Sequence, residues 1–372
     1  MRPTTATIRL ADIVHNYELA CRLAPASKSI AVIKANAYGH GMLEVAHQLQ
    51  NLVPAFAVAL VEEAVQLRDA GITGPILVLQ GVNDTADIKE AAERDLWLLL
   101  HRRQQIDELL SSYSTKPVRV WLKLETGMHR FGLVPDELER VCVDLRSSPN
   151  IQQDLVLCTH LACADDLADP MTPRQVRLIR SCSIEHNLAL SIANSAGILH
   201  WPESHADWNR PGYMLYGNCP TGVFGSGSSE LRPAMTMSSE IVAIRNIEQD
   251  EGVGYGQDWI AKKASKIGTI PIGYGDGYPR HAPSGTPVLV NGQRVPLVGR
   301  VSMDAISVDL TEMEKVEMGD PVELWGENLY VNEVAAAAGT IGYEILAGLT
   351  GRVPVGYLAH ESMETSGEFL DN

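Results

Sequence analysis

Cysteine is scarce in this chain, and what there is follows no pattern. Six cysteines in 372 residues, at 21, 142, 158, 163, 182 and 219, form no C-x-x-C pair and have no histidine at zinc-ligand spacing. Neither a disulfide framework nor a structural zinc site is expected. The six read as reduced, mostly buried small hydrophobes, and no metal is anticipated. Long apolar runs are missing too. No stretch approaches the roughly 18 residues of a membrane span. The N-terminus, Met1-Arg2-Pro3-Thr4-Thr5-Ala6-Thr7, lacks the charged-then-apolar layout of a secretion signal. The reading is a cytoplasmic protein without a membrane partner. Basic residues are outnumbered, 30 against 46 acidic, for a net charge of -16. That balance disfavours nucleic acid and anionic lipid as partners. No sequence repeat is visible.

What is present is an alternation. At 372 residues the chain calls for one large barrel or two domains. After an opening strand at 6–10 and a helix at 11–23, β-branched or apolar runs recur at 30–33, 56–60, 76–79, 96–100, 118–124, 155–159, 188–193 and, weakly, 207–209. Helical patterns separate most of them, at 43–49, 62–70, 85–93, 104–112, 136–145 and 174–186. Gly71 suits a left-handed C-cap of the second. Seven strands and a weaker eighth predict a (β/α)8 TIM-like barrel over 1–232, with a doubly wound sheet as the alternative. From Pro233 helices almost disappear. Strands are expected at 238–245, 265–272, 287–290, 295–298, 306–310 and 322–324, with a type I′ hairpin at Asn291-Gly292. This gives a second, mainly-β domain over 233–372, ending in a polar tail from about 358. Gly222 to Glu230 reads as a linker.

The chemistry concentrates in Ala31-Val32-Ile33-Lys34-Ala35-Asn36-Ala37-Tyr38-Gly39-His40-Gly41. A lysine at the carboxyl end of a predicted strand stands where parallel α/β folds gather their active sites. Other candidate segments are Leu122-Lys123-Leu124-Glu125-Thr126-Gly127-Met128-His129-Arg130, Thr159-His160, Asn194-Ser195, Arg210-Pro211-Gly212-Tyr213, Gly252-Val253-Gly254-Tyr255-Gly256, Val301-Ser302-Met303-Asp304 and Gly342-Tyr343. Each alone is an ordinary turn, ion pair or core residue. Their joint occurrence, in order and over nearly the whole chain, resembles the alanine racemases.

That resemblance implies pyridoxal 5'-phosphate as cofactor, alanine as substrate, and interconversion of its L and D forms. It implies Lys34 as the Schiff-base lysine, Asn194, Ser195, Gly212, Tyr213 and Tyr343 around the phosphate, and Tyr38 as a further cofactor-binding residue. Arg210 would face the pyridine nitrogen, with His160 beside the ring. Arg130 would pair with the substrate carboxylate, a task that suits a guanidinium, and Met303 would contact it through its main chain. Lys123 matches a lysine that is carbamylated in several family members. Inverting a stereocentre through a planar carbanion requires a proton-transferring group on each face, so a second base is needed. The family motif makes it Tyr255. The resemblance further implies a homodimer in which each site draws residues from two chains. A racemase of broader specificity, acting on serine, and a cofactor carrier without turnover are the alternatives. The carriers lack the β domain and the second base; a barrel decarboxylase would need a cysteine-bearing motif that is not apparent.

Overall fold

The computed structural model describes residues 2–112, 116–221 and 228–358. Of the expected linker only 228–230 fall within it, as one short 3-10 turn, and the polar tail beyond Leu358 lies outside the described residues. The described residues form two compact units, one of 2–13, 234–330 and 350–358, the other of those within 14–233 together with Val331–Leu349. No helix among the described residues is long and apolar enough to cross a membrane.

The opening strand, β1 (Thr5–Arg9), runs antiparallel to one strand of the β-rich unit and parallel to another, so it belongs to that unit's sheet although it precedes the barrel strands in the chain. Its pattern explains why. Ala6 and Ile8 are buried between half-exposed neighbours, the alternation of a sheet with one covered face. Strands enclosed on both sides are buried throughout.

The second unit contains such strands, apart from an exposed Lys28 and Ala189 and a half-exposed Lys123 at their ends: β2 (Lys28–Ser29), β3 (Ala31–Val32), β4 (Phe56–Val58), β5 (Ile76–Val78), β6 (Leu96–Leu100), β7 (Val120–Lys123), β8 (Val156–Cys158), β9 (Ala189–Ser191) and β10 (Trp208–Asn209). They pair in the order β2-β10-β9-β8-β7-β6-β5-β4-β3, all parallel. Because β2 and β3 are successive pieces of one strand broken at Ile30, the sheet returns on itself. Eight strand positions thus close a barrel and rule out the doubly wound alternative.

Ile30, Val32, Leu99, Trp121, Val156, Cys158 and Trp208 belong to its buried core. Trp97, Trp121 and Trp208 meet with ring centroids 5.7–6.4 Å apart near the strands' N-terminal ends. Their bulk fills that side. Continuing the period of two toward the C-terminal ends gives Ile30-Val32-Lys34, Trp121-Lys123, Val156-Cys158-His160 and Trp208-Arg210. The core face becomes the functional face.

Helices follow the alternation: α1 (Leu10–Leu23), α2 (Lys34–Tyr38), α3 (Met42–Leu49), α4 (Val61–Asp69), α5 (Thr85–Glu93), α6 (Arg103–Ser111), α7 (Leu138–Arg146), α8 (Met171–His186) and α9 (Ser195–His200). In α3 the buried residues are Met42, Val45, Ala46 and Leu49, a stripe at helical spacing. Gly71 adopts φ +85° just after α4, as its sequence position suggested. Gly217 carries a sharper constraint. It has φ +80°, and an added Cβ would fall 1.8 Å from the Arg232 carbonyl oxygen. Gly217→Ala should therefore cost about 3 kcal/mol or more. A lowered denaturant midpoint checks this, and an unchanged one contradicts it.

Two helices, α10 (Val331–Ala338) and α11 (Gly342–Ala347), correct the expectation that the C-terminal part is nearly helix-free. They belong to the barrel unit. Val331, Val334, Ala335, Ile345 and Leu346 are buried, and Asn332 bonds to Tyr213 and Cys219.

The β-rich unit adds β11 (Met235–Glu240), β12 (Ala243–Ile247), β13 (Gly252–Val253), β14 (Trp259–Ile260), β15 (Ser265–Ile270), β16 (Pro287–Val290), β17 (Gln293–Val298), β18 (Ile306–Asp309), β19 (Pro321–Trp325) and β20 (Val355–Leu358). Nine strands including β1 form one sheet, ordered β12-β15-β18-β17-β16-β19-β11-β1-β20. The single strand expected at 238–245 is split because the chain changes partners: Ile241 N–H donates to Asp320, and Val242 N–H to Thr269. Asn291 and Gly292, with φ of 51° and 75°, make the expected I′ turn between β16 and β17.

Candidate active site

At the C-terminal ends of the barrel strands lies a cavity of about 490 Å³. Lys34, Lys123, Arg130 and Arg210 line it together with His160, and no aspartate or glutamate does. Tyr38, Asn194, Ser195, Gly212, Tyr213 and Tyr343 share the same walls. Four cationic side chains with no lining carboxylate call for an anionic ligand. Eleven of the residues singled out in the sequence thus meet in one place.

Arg210 is 5% exposed and extends the β10 face inward. Its Nη1 donates to Ser191 Oγ, and its Nη2 to the carbonyls of Thr159 at 2.5 Å and Ile192 at 3.2 Å. These acceptors are neutral, so they aim the guanidinium without cancelling its charge. Thr159 Oγ also lies 2.7 Å from Thr126 Oγ, and Gln175 Nε2 donates to Thr126 and to the His160 carbonyl. Sequence reading missed Ser191, Thr126 and Gln175. They are buried polar residues beside strand ends, a signal visible once the strands are placed.

Burial, then the charges of Lys123, Arg210, Arg130 and Lys34, hold His160 well below the ordinary imidazole range. It is neutral at neutral pH. Burial also lowers Lys34, with Arg130 adding to the effect and Glu63 opposing it. Lys123 falls to about 8, chiefly through burial. Both amines consequently spend more time unprotonated, and therefore nucleophilic, than exposed lysines do.

The opposite wall is built from phenols and main-chain groups. Ser195 Oγ accepts from Gly212 N–H at 3.0 Å and Met214 N–H at 3.2 Å, while Asn194 Oδ1 caps α9 through Gly197 N–H. Tyr343 stacks on Tyr213 at 3.7 Å and 12°. Tyr213 in turn donates to Asn332 Oδ1 at 2.6 Å. Burial raises the phenols of Tyr38, Tyr213 and Tyr343, so all three remain protonated donors. A Cβ at Gly212 would stand 2.8 Å from Tyr38 Oη, so only glycine admits that phenol here.

The segment that carries Lys34 is unusual. Although hydrogen-bonded like a helix, α2 is left-handed at Ala35, Asn36, Ala37 and Tyr38, all with φ of 52–53°. At about 1–2 kcal/mol per residue this conformation costs on the order of 4–8 kcal/mol. Ala37 N–H to Ile33, Gly39 N–H to Ala35 and Gly41 N–H to Asn36 offset part of it. His40 Nδ1 lies 2.9 Å from the Tyr38 carbonyl and 3.1 Å from that of Ala37. Burial depresses its pKa to about 4, leaving a neutral ring that donates to both. Strain of this kind persists where function fixes a side chain.

Two family models, alanine racemase N-terminal domain and alanine racemase C-terminal domain, match residues 8–220 and 234–357. The chain belongs to the alanine racemase family. It is 48% identical to an alanine racemase of Chromohalobacter salexigens over 96% of its own length and 98% of that protein's. The crystal structure of the biosynthetic alanine racemase of Pseudomonas aeruginosa superposes with a TM-score of 0.94 at 44% identity, covering 96% of this chain and all of the other. An alanine racemase of Bartonella henselae, with covalently bound pyridoxal phosphate, gives 0.88 at 30% identity, covering 96% of this chain and all of that one.

The alanine racemase family is pyridoxal-phosphate-dependent, and the cavity suits that group. A lysine with lowered proton affinity, neutral phenols, the Ser195 hydroxyl and cations that line the cavity without a carboxylate among them form a donor set for a phosphorylated aldehyde. Tyr255 and Met303 lie in the β-rich unit, 70% and 51% exposed. Gly254 and Gly256, at φ 75° and 73°, flank the turn that holds Tyr255 outward. Met303's carbonyl accepts from Gly275 N–H at 3.0 Å.

Proposed function

We propose that the protein racemises alanine with Lys34 and Tyr255 as the two proton-transferring groups, one on each face of the substrate. The observation that carries this reading is the alignment of Ile30, Val32 and Lys34 on the core face, which delivers one depressed-pKa amine into a cavity of cations and neutral donors.

Pyridoxal phosphate, when bound, supplies the electron sink that makes the α-proton of an amino acid removable. Lys34 would hold it, and its amine, when free, would take or return the α-proton on its own side. Arg210 stays charged because a guanidinium does not surrender its proton, so a ring nitrogen facing it stays unprotonated. That weakens the sink and disfavours side reactions such as transamination. His160, neutral and enclosed, adds no competing acid. Tyr38, Asn194, Ser195, Gly212, Tyr213 and Tyr343 hold the phosphate. Arg130 and the Met303 N–H receive the substrate carboxylate. Lys123, with its pKa lowered to about 8, is unprotonated about a tenth of the time at pH 7 and far more often than an exposed lysine, and that free amine adds to carbon dioxide and releases a proton to give a carbamate. The carbamate supplies the negative charge that the cluster otherwise lacks and orients Arg130.

We further propose that the working unit is a homodimer in which Tyr255 and Met303, both exposed here, complete the cavity of a partner subunit. The test is a racemisation assay of the cofactor-loaded protein on a panel of L-amino acids. L-Alanine should be racemised at least about tenfold faster than L-serine, the discrimination a small pocket difference supplies. Faster serine turnover would make the enzyme a broader racemase. Absence of turnover on every amino acid would leave a cofactor carrier.

A further inference from the structure

We propose that Glu63 is a positioning residue for Lys34: its carboxylate ties the left-handed turn carrying the lysine to the end of the neighbouring barrel strand. The inference rests on the functional reading above and assigns it a residue outside the cavity.

Glu63 sits in the first turn of α4. Its Oε1 accepts from Ala35 N–H at 2.7 Å, at the residue after Lys34. Its Oε2 accepts from Ala59 N–H at 2.7 Å and from Leu60 N–H at 3.2 Å, just beyond β4. Ala35 and Ala59 both line the cavity. One half-buried carboxylate therefore fastens two adjacent strand ends at the mouth of the barrel. The other bonds within the strained turn run between residues 33 and 42 and fix its shape, while Ile33 N–H, donating to the Ala57 carbonyl at 2.9 Å, seats only its first residue against β4. The Glu63 bond comes from a different element. It sets the direction from which the Lys34 amine enters the cavity.

The chemistry admits no simple substitute. A carboxylate offers acceptors on both oxygens, whereas a glutamine offers one acceptor and one donor. In Glu63→Gln, either Ala35 or Ala59 would face an N–H with an N–H. Aspartate keeps the charge but is one methylene short of spanning the two strand ends. Glu63 is also the anion that opposes burial and Arg130 at Lys34, in a site where Lys123, Arg210 and His160 are the other charged or titratable neighbours.

The experiment compares cofactor-loaded wild type with Glu63→Gln and Glu63→Asp. In Glu63→Gln the cofactor should still be trapped on Lys34 by borohydride reduction. Its kcat for alanine should fall about ten- to a hundredfold, while KM changes less than about threefold. The pH midpoint of the visible absorbance should move down by up to about one unit, a tenfold change in proton affinity, because an anion near Nζ is gone. Glu63→Asp should keep the wild-type midpoint and lose only kcat. A Glu63→Gln protein with wild-type kcat and midpoint overturns the proposal. If Glu63→Gln does not fold, Glu63→Asp decides, because wild-type kcat in that variant equally overturns it. Wild-type protein without absorbance or turnover would fault the functional reading itself. Both properties intact beside an unaltered Glu63→Gln would fault Glu63 alone.

Discussion

Lys34→Ala should lose the visible absorbance of the bound cofactor together with racemase activity, the latter by about 10³-fold or more. General-base catalysis alone contributes roughly 10²–10⁴-fold, and this substitution also removes the covalent anchor. The fold should survive, since Lys34 is only partly buried and its backbone bonds involve its neighbours. Loss of absorbance in a protein that still melts cooperatively is therefore the expected pair of results. The proton affinity of Lys34 sharpens this. Burial first, then Arg130, favour its free amine, so an exchanged lysine returns to the unprotonated state that abstracts a proton. The cavity's other amine, Lys123, is similarly shifted and offers the natural objection. It lies on β7, on the opposite side of the charge cluster from the turn that frames Lys34. A band that persisted in Lys34→Ala would move the anchor to Lys123, and with it the whole orientation proposed for the ring.

How far the sequence disclosed this site depends on the kind of residue. Lys34 and His160 stood at the ends of predicted strands, Lys123 within one and Arg210 in an Arg-Pro-Gly motif after another, but that they share the core face follows only once the strand register is known. The opening strand at 6–10 gave no sign of its partners, because the β11 and β20 strands it pairs with lie more than two hundred residues along the chain. Tyr343 could not be assigned to the barrel unit from composition. The strand-rich segment around it hides α10 and α11, whose burial depends on partners more than a hundred residues away, such as Tyr213 and Cys219. The left-handed turn was equally hidden. Ala35, Asn36, Ala37 and Tyr38 carry no glycine to announce positive φ, and only the surrounding hydrogen bonds force it. Glu63 carries no motif of its own, lying in a helix's first turn where acids are ordinary. Its role depends on two strand ends that are neighbours in the barrel, not in the chain.

Tyr255→Phe should retain the cofactor's absorbance and abolish net racemisation while sparing half of the proton chemistry. L- and D-alanine have equal free energies, so kcat/KM must fall by the same factor in both directions and initial rates cannot reveal an asymmetry. Exchange with solvent can. With Lys34 intact, the enantiomer whose α-hydrogen faces it should still wash in deuterium with retention of configuration, at a rate near that of wild type. The other enantiomer, whose hydrogen faces the missing phenol, should exchange about 10²–10⁴-fold more slowly. Small and equal losses for both would remove Tyr255 from the reaction. The phenol is 70% exposed within its own unit, a poor setting for a base unless another surface covers it, and this is why the proposed partner subunit matters. Mixing provides the measurement. A dimer of one Lys34→Ala subunit and one Tyr255→Phe subunit contains one site with both lesions and one with neither, if each site takes its lysine and its tyrosine from different chains. Such a mixture should regain activity that neither parent has, approaching half of the wild-type rate per heterodimer. If both groups of a site came from the same chain, every site would carry one lesion and mixing would restore nothing.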